Sequence, residues 1–378
     1  MRSVDSSGAQ RIPIDLNQQA TTPCFPEVSE AIAGWLTVGG HPGEPGPRGA
    51  RIRTALERAR DQVRWRVGRS DGEVVFTSGA TEALDLAIRG SLVPEDHAIV
   101  VATEHRAAFS ALEASGAEVS VAPVASEGRV DPECLRALVT PRTRLLVCMA
   151  VNNEIGVMPD LAAVAAVCAE TGVRWCCDAS QLAFARLTAG PDLVVVSGHK
   201  IGGPQGIGAL VLRPGCEVRP QVVGGGQQGG LRGGTLPVAL AVGLGEAAAR
   251  VEDADRVRGL RDALWTRLSE AIGSARRIGS VEHRAPHNLS VCLPGIDARA
   301  LVVSLADEVA IGTGSACSSG VDRPSHVLEA VGLTGRDLAS VLRFGLGRET
   351  SSQDVERAAE GVVALAVGSA RGGRACPP

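Results

Sequence analysis

The stretch VVVSGHKIGGPQGIG at residues 194–208 decides the fold prediction. Three consecutive valines are typical of a buried strand, and the chain then passes through Ser197, His199 and Lys200 into a turn rich in Gly and Pro. A side chain directly after a buried strand faces the ligand crevice of an open α/β sheet. A lysine held there can offer its amine as a nucleophile that forms a Schiff base with a carbonyl group. A solvated lysine at a strand end is the competing interpretation.

Short apolar runs on both sides of this stretch alternate with helical patterns. Residues 161–171, for example, carry apolar side chains at spacings of three and four. Such alternation predicts an α/β fold with a mainly parallel sheet flanked by helices, and places functional residues beyond the carboxyl ends of the strands. The strands predicted in this way are residues 98–102, 145–151, 173–177, 193–197 and 207–212.

The chain has 378 residues, which is long enough for two hydrophobic cores. Residues 236–272 read as one or two long helices that become increasingly charged. Beyond them, a predicted strand at 287–294 and predicted helices at 298–306 and 351–366 indicate a second, smaller α/β unit. We therefore predict a large domain at residues 16–250 and a small C-terminal domain formed by residues 1–15 and 251–378.

The overall charge and the cysteine content restrict the partners and the compartment. A formal net charge of −4 argues against nucleic acid or an anionic membrane as the main partner. No apolar window approaches the roughly 20 residues that span a bilayer, and the first residues lack the apolar core of a signal peptide, so we expect a cytoplasmic protein. The ten cysteines are irregularly spaced and include no CxxC pair, so we expect reduced thiols and no metal site.

Two further features predict a pyridine cofactor beside Lys200. The sequence TSGATE at 77–82 joins an apolar strand to a helix, and free N–H groups at such a helix start favour a phosphate, although Ser and Thr also cap ordinary helices. Asp178 ends another predicted strand, where a carboxylate can keep the ring nitrogen of a pyridine protonated. A phosphate cradle, this aspartate and the lysine are the three attachments that pyridoxal 5′-phosphate (PLP) requires.

Eight short motifs follow one another along nearly the whole chain. They are TSGATE (77–82), TEH (103–105), VNNEIG (151–156), DASQ (178–181), SGHKIGGPQGIGAL (197–210), GGGQQGGLRGGT (224–235), GSACSSG (314–320) and RFGLGR (343–348). In order and spacing they resemble the motifs of NifS-like, group I cysteine desulfurases, which are PLP enzymes of fold type I in the class V aminotransferase superfamily. The resemblance implies a large domain with a seven-stranded, mainly parallel sheet, and a small domain that carries a cysteine loop at residues 312–320.

The same resemblance implies how PLP is held. Lys200 would form a covalent aldimine with PLP, Asp178 would pair with the ring nitrogen, and His105 would lie over the ring as a stacking and acid/base residue. Gln181 and Asn153 would lie near the phenolic oxygen. The phosphate would be held by Ala80, Thr81, Ser197 and His199 together with Thr235 of the partner subunit in a homodimer.

The activity that the resemblance implies is removal of sulfur from L-cysteine. Arg343 and Asn153 would bind the substrate carboxylate, and Cys317 would attack the substrate sulfur and keep it as a persulfide for transfer to an acceptor protein. His105 is the candidate to take the proton of the Cys317 thiol. A PLP-dependent cysteine or cystine C–S lyase, or a selenocysteine lyase, is an alternative, and a non-catalytic sulfur-transfer or assembly protein is a second one.

The chain departs from the family pattern at several positions. Glu44-Pro45-Gly46-Pro47 replaces an Asn-Pro-Ser/Ala-Ser stretch, and Asn17 stands where an Asp is common. Gln228-Gly229 replaces a charged pair, and Gly233 replaces a serine. These departures leave the expected PLP residues in place and concern the finer shape of the substrate pocket and the subunit contacts.

Overall fold

Strands and helices alternate through the first half of the computed structural model, which describes residues 13–314 and 324–371. The strands in these ranges are β1 (Ile14–Asp15), β2 (Glu73–Thr77), β3 (His97–Val101), β4 (Glu118–Ala122), β5 (Thr143–Val147), β6 (Arg174–Asp178), β7 (Leu193–Ser197), β8 (Gly208–Leu212), β9 (Arg276–Arg277), β10 (Asn288–Cys292), β11 (Val309–Ala310), β12 (Gly312–Thr313) and β13 (Val341–Gly345). The helices are α1 (Pro26–Leu36), α2 (Gly46–Arg66), α3 (Ala80–Ser91), α4 (Arg106–Ser115), α5 (Pro132–Ala137), α6 (Leu161–Thr171), α7 (Val238–Ala248), α8 (Ala254–Ala271), α9 (Ala298–Leu305), α10 (His326–Ala330) and α11 (Ser352–Arg371).

The largest sheet has seven strands in the order β2-β8-β7-β6-β5-β3-β4. Only β8 runs against its neighbours, and the other six strands are mutually parallel. The carboxyl ends of β2, β3, β5, β6 and β7 therefore lie along one edge of the sheet, and the loops that follow them meet there.

Alternating side chains of this sheet enter two different cores. In β7, Val194 and Val196 face one core, whereas Leu193 and Val195 face the other. Helices α3 and α4 cover the second core, and α2, α6 and α7 contribute to the first. Because both faces are covered, the strands are continuously apolar, as in LVVVS at 193–197.

A second, antiparallel sheet has the order β12-β13-β10-β9 and contains Arg343 in its central strand β13. The N-terminal strand β1 pairs in parallel with β11, and Asn17 forms a bridge to Gly345 of β13. The first residues of the described chain are thereby joined to the C-terminal sheet, next to Arg343.

The predicted mainly parallel sheet with flanking helices is confirmed. Helix α6 occupies the predicted residues 161–171, because Asp160 caps its start at Ala163 N and Gly172 ends it with φ 71°. Helix α2 begins at Gly46, inside a stretch rich in Gly and Pro at residues 39–49, because Pro47 suits the first helical turn. The domain boundaries stay a prediction. None of the described helices combines the length and the apolar character needed to cross a membrane.

Candidate active site

A cavity of about 450 Å³ opens at the edge of the seven-stranded sheet where the parallel strands end. Each of the loops that line it follows a strand or precedes β8, so rigid secondary structure positions every side chain. The lining includes seven residues that the sequence predicted for a cofactor site, namely Ala80, Thr81, His105, Asp178, Ser197, His199 and Lys200.

The turn between β2 and α3, where a phosphate cradle is predicted, lines this cavity with Ser78, Gly79, Ala80 and Thr81. The Ser78 N–H donates to Glu82 Oε2 at 2.7 Å, and the Thr77 hydroxyl donates to the Gly79 carbonyl at 2.9 Å, so the turn is fixed from both sides. Gly208 of β8 lies directly beneath, where a Cβ atom would be 2.6 Å from the Gly79 carbonyl carbon. A residue with a side chain at position 208 would therefore displace the cradle.

The end of β6 places Asp178 in the cavity with little exposure to solvent. Its Oδ1 accepts the Ser180 N–H at 2.9 Å, which fixes the carboxylate plane. The neighbouring Gln181 donates from Nε2 to the carbonyl of Gln19 at 2.9 Å. Gln181 thus lies on the same loop as Asp178, and Gln19, which the sequence did not single out, orients it.

His105 is both a lining residue of the cavity and the N-cap of α4. Its Nδ1 accepts the Ala107 N–H at 3.1 Å, so in the neutral ring the proton is on Nε2. Burial lowers the pKa of His105, the nearby Lys200 charge lowers it further, and Asp178 opposes this shift. The ring is therefore neutral at neutral pH and presents an N–H donor. The expected transfer of a thiol proton to His105 would require Nδ1 to give up its bond to Ala107.

Lys200 ends a short 3-10 turn that follows β7. This turn is held by Thr22, whose hydroxyl donates to the His199 carbonyl at 3.0 Å and accepts the Gly202 N–H at 2.9 Å. His199 Nδ1 is buried and has no hydrogen-bond partner among the described residues. Burial, with the adjacent Lys200 charge, lowers the pKa of His199. A buried nitrogen of this kind, beside Ser197 and the cradle, suits an anionic ligand oxygen.

Arg343, in strand β13 of the C-terminal sheet, bonds to the loop that follows β5 of the large sheet. Its guanidinium is buried, donates from Nη1 to the carbonyl of Asn153 at 2.9 Å, and donates from Nη2 to Asn17 Oδ1 at 2.9 Å. The side-chain oxygen of Asn153 is also buried and lacks a partner within the described ranges. Arg343 and Asn153 are therefore in contact, and Asn17, which stands where an Asp is common, contacts the same arginine.

Thr235 is exposed and does not line the cavity. The Gly-rich segment that carries it is fastened to α3, because Arg232 forms a two-point ion pair with Glu82 at 2.7 and 3.2 Å. Within one chain, Thr235 is therefore not among the residues that share the cavity with Ala80 and Thr81. Cys317 belongs to residues 315–323, which lie outside the described residues.

Two acids close to the site, one of them fully buried, were not identified as site residues from the sequence. Glu104 is fully buried, and burial with the charge of Asp178 raises its pKa to about 8. Glu154 accepts a hydrogen bond from Ser325, and burial raises its pKa to about 7. Both acids stand inside quoted motifs, TEH and VNNEIG, and their position next to His105 and Asn153 was the available signal.

The residues present fit PLP. The cavity combines a helix start and hydroxyls for a phosphate, a carboxylate at the end of β6 for a ring nitrogen, and a lysine amine for an aldehyde. Two buried polar atoms, His199 Nδ1 and Asn153 Oδ1, have no hydrogen-bond partner within the described ranges, and of these two residues His199 lines the cavity. In the described ranges, no group of three or more His, Cys, Asp or Glu side chains is arranged to hold a metal ion.

Comparison with known proteins agrees with this geometry. Residues 14–358 match the aminotransferase class-V family. The chain is 39% identical over 372 residues to the cysteine desulfurase IscS of Photorhabdus laumondii subsp. laumondii, covering 93% of this chain and 92% of the relative. A solved NifS-like protein superposes with a TM-score of 0.85 at 27% identity, over 94% of this chain and 99% of the other. SspA, solved in complex with cysteine, gives a TM-score of 0.78 at 27% identity over 88% and 98% of the two chains.

Proposed function

The chain belongs to the aminotransferase class-V family and, within it, to the PLP-dependent cysteine desulfurases, and from this premise we propose which of its residues carry the reaction. The observation that supports the assignment is that Lys200, Asp178 and His105 line the same cavity as Ala80 and Thr81 of the predicted cradle. These residues come from the ends of four separate strands, and such a convergence of a lysine, an acid and an anion cradle suits PLP chemistry.

PLP, when bound, supplies an electron-withdrawing ring that takes up negative charge from the carbon atoms of an attached amino acid. We assign its covalent attachment to Lys200 and the protonation of its ring nitrogen to Asp178. Ala80, Thr81, Ser197 and His199 would bind its phosphate. Gln181 and Asn153 would contact its phenolic oxygen, and His105 would contact its ring.

Arg343 binds the carboxylate of L-cysteine. Its buried guanidinium already spans the strand end at Asn153 and the N-terminal segment at Asn17, so it is held rigidly before substrate arrives. Asn153 contributes its side-chain amide beside it. SspA, a structural neighbour, was solved with cysteine, which supports cysteine as the amino acid for this site.

Cys317 accepts the sulfur. After the Lys200 amine removes the Cα proton, the Cys317 thiolate attacks the substrate sulfur, so that an S–S bond forms and the Cβ–S bond breaks. The electron pair of the broken bond leaves with Cβ, which takes up a proton, the proton held by the Lys200 amine returns to Cα, and the product is alanine. In the neutral ring, His105 Nε2–H can donate a hydrogen bond within the cavity, and His105 is the candidate to take the proton of the Cys317 thiol through Nδ1 once the bond to Ala107 opens. The sum is L-cysteine plus a thiol giving L-alanine plus a persulfide.

The test is product analysis combined with mass spectrometry of the PLP-loaded protein. With L-cysteine, we expect alanine rather than pyruvate as the product. We also expect the mass of the Cys317 peptide to rise by about 32 mass units, which corresponds to about one added sulfur atom per chain. The Cys317→Ala variant should keep the PLP absorbance and lose alanine formation. Pyruvate as the product would favour a C–S lyase, and undiminished turnover by Cys317→Ala would refute the assignment of this thiol.

Two finer statements complete the proposal. A homodimer is supported by the exposed Thr235, which needs a second copy of the chain to reach a phosphate cradle, and by the exposed Val223 on the same segment. A cytoplasmic location is supported by the eight described cysteines, all of which are free thiols and so suit a reducing compartment. The persulfide is then passed to an acceptor protein.

A further inference from the structure

The two chain ends that flank residues 315–323 meet at the start of α10. On the N-terminal side, Gly314 donates its N–H to the Val341 carbonyl at 3.2 Å and packs so closely on α10 that a Cβ would lie 2.5 Å from Leu328 Cδ1. On the C-terminal side, the described chain resumes at Pro324 and enters α10 through Ser325. The placement of α10 therefore determines where Gly314 and Pro324, the described residues on the two sides of the Cys317 segment, lie.

Ser325 fastens α10 to the strand end that carries Asn153. Its hydroxyl donates a short hydrogen bond to Glu154 Oε2, and Glu154 is the residue directly after Asn153. The same hydroxyl oxygen accepts the Leu328 N–H at 3.2 Å as the helix N-cap. Ser325 is buried, so one hydroxyl group serves both as a helix cap and as a long-range donor.

His326 fastens α10 to the loop that carries His105. Its Nε2 lies 2.8 Å from the Glu104 carbonyl oxygen, and because a carbonyl only accepts, Nε2 bears the proton. Its ring also meets Phe109 of α4 edge to face, with the centroids 5.4 Å apart. Arg106 adds a long contact, 3.5 Å, to the Pro324 carbonyl.

Each of these two consecutive side chains hydrogen-bonds to a residue that directly adjoins a proposed site residue. Ser325 bonds to Glu154, which follows Asn153, and His326 bonds to Glu104, which precedes His105. We propose that Ser325 and His326 are positioning residues that fix α10, and with it Gly314 and Pro324 on the two sides of residues 315–323, and that they govern sulfur transfer rather than PLP or cysteine binding. This inference rests on the proposed role of Cys317. Neither side chain lines the cavity, so neither is assigned contact with PLP or substrate.

A purely local role in starting α10 would produce a different pattern of variants. Ser325→Asp keeps an N-cap acceptor and removes the donor to Glu154, whereas Ser325→Thr keeps both functions. His326→Gln retains an N–H donor near the position of Nε2, and His326→Leu removes it. A matched control is Ser351→Asp, because the Ser351 hydroxyl also donates to a carboxylate, Asp354 at 2.7 Å, and accepts the Asp354 N–H at the start of α11.

The experiment compares these variants as PLP-loaded proteins. PLP absorbance, the cysteine concentration that half-saturates the spectral change, and the single-turnover rate of alanine formation are measured for each. For Ser325→Asp and His326→Leu we expect an unchanged spectrum, an unchanged half-saturation and at least a tenfold slower single turnover. Ser325→Thr and His326→Gln should recover most of the rate, and Ser351→Asp should match wild type.

A readout independent of turnover is the rate at which iodoacetamide labels Cys317, followed by peptide mass spectrometry with Cys134 as an internal reference. We expect Ser325→Asp and His326→Leu to raise the Cys317 labelling rate at least threefold, with Cys134 unaffected. Wild-type turnover and labelling in both variants would overturn the proposal, as would loss of PLP or an equal defect in Ser351→Asp.

The Cys317→Ala protein separates this proposal from the one it rests on. If Cys317→Ala keeps its turnover, the assignment of the sulfur-accepting thiol fails, whatever the other variants do. If Cys317→Ala is inactive while Ser325→Asp and His326→Leu behave as wild type, the thiol assignment stands and the positioning role is refuted.

Discussion

The carboxamide of Gln228 pairs with both backbone groups of Phe76. Phe76 N–H donates to Gln228 Oε1 at 2.7 Å, and Gln228 Nε2 donates to the Phe76 carbonyl at 2.9 Å. Phe76 lies in β2, an edge strand of the large sheet and the strand that leads into the phosphate cradle. Gln228 therefore takes the place of a neighbouring strand at this edge, and it adopts φ 51°, ψ 48° to do so.

Replacing Gln228 by Glu should loosen the Gly-rich segment from β2. The carboxylate could still accept from Phe76 N–H, but it would face the Phe76 carbonyl without a proton to donate, at a cost of about 1–3 kcal/mol. We expect a lower melting temperature and weaker PLP binding, measured by absorbance titration of the apoprotein. Gln221→Glu adds the same charge nearby and breaks only a bond to the Arg219 carbonyl. Equal effects of the two substitutions would contradict the role of Gln228.

Thr235 should act on the site of the other subunit. In a heterodimer of one Lys200→Ala chain and one Thr235→Ala chain, a contribution in trans leaves one site with both Lys200 and Thr235 intact. We expect roughly half of wild-type activity at limiting PLP for this heterodimer, purified with two different tags, because one of its two sites is complete. Activity no higher than that of the Thr235→Ala homodimer would place Thr235 in its own chain's site.

His287 should make the protein less stable as the pH falls. It is buried and stacks on Phe184 with the ring centroids 4.9 Å apart, and burial, with the charges of Arg261 and Arg343, lowers its pKa to about 3. Between about pH 6.5 and pH 3 the unfolded chain binds a proton here that the folded chain does not, so stability declines by about 1.4 kcal/mol per pH unit from this group. In His287→Phe, urea midpoints should depend less on pH between 4 and 6. An unchanged pH dependence would mean that His287 titrates normally in the folded protein.

Local patterns were sufficient to predict the strands of the large sheet except β4, and to predict Lys200, Asp178 and the turn at 77–82 as parts of one site. Asp178 and Lys200 stand one to four positions beyond apolar runs, as Lys200 stands after the valines of β7, and the parallel sheet brings such positions together. The sequence of β7 alone, LVVVS, indicates a strand buried on both faces, which the two cores confirm.

The residues that support the site could not be predicted in this way. Gln19 Oε1 accepts from Asn288 Nδ2 at 2.7 Å across 269 positions of the chain, and Ser325 reaches Glu154 across 171. Such pairs depend on how the C-terminal sheet packs against the large sheet. The spacing of apolar residues in either segment does not indicate that packing. The sequence shows that Gln228 stands where the family pattern has a charged residue. That its carboxamide bonds to Phe76 at the sheet edge is evident only from the structure.

Glu104 provides a test of how the protein holds a buried carboxyl group beside Asp178. One oxygen, Oε1, accepts the Met149 N–H, and Oε2 has no partner among the residues of the described ranges. Burial, reinforced by the Asp178 charge, raises the pKa from its ordinary value of 4.5 to about 8, so the group is protonated at neutral pH. Because the folded chain keeps a proton that the unfolded chain releases, its contribution to stability is complete below about pH 4.5 and is lost as the pH rises to about 8.

Glu104→Gln is neutral at every pH and keeps an oxygen for Met149, so it removes this loss. We expect urea midpoints similar to wild type at pH 5 and higher than wild type at pH 8. The control is Glu170→Gln, because Arg136 lowers the pKa of that exposed carboxylate and the substitution should bring no gain at pH 8. If Glu104→Gln is instead less stable at pH 8 than at pH 5, relative to wild type, then Glu104 is ionised in the folded protein and the two adjacent acids share the site as a pair of charges.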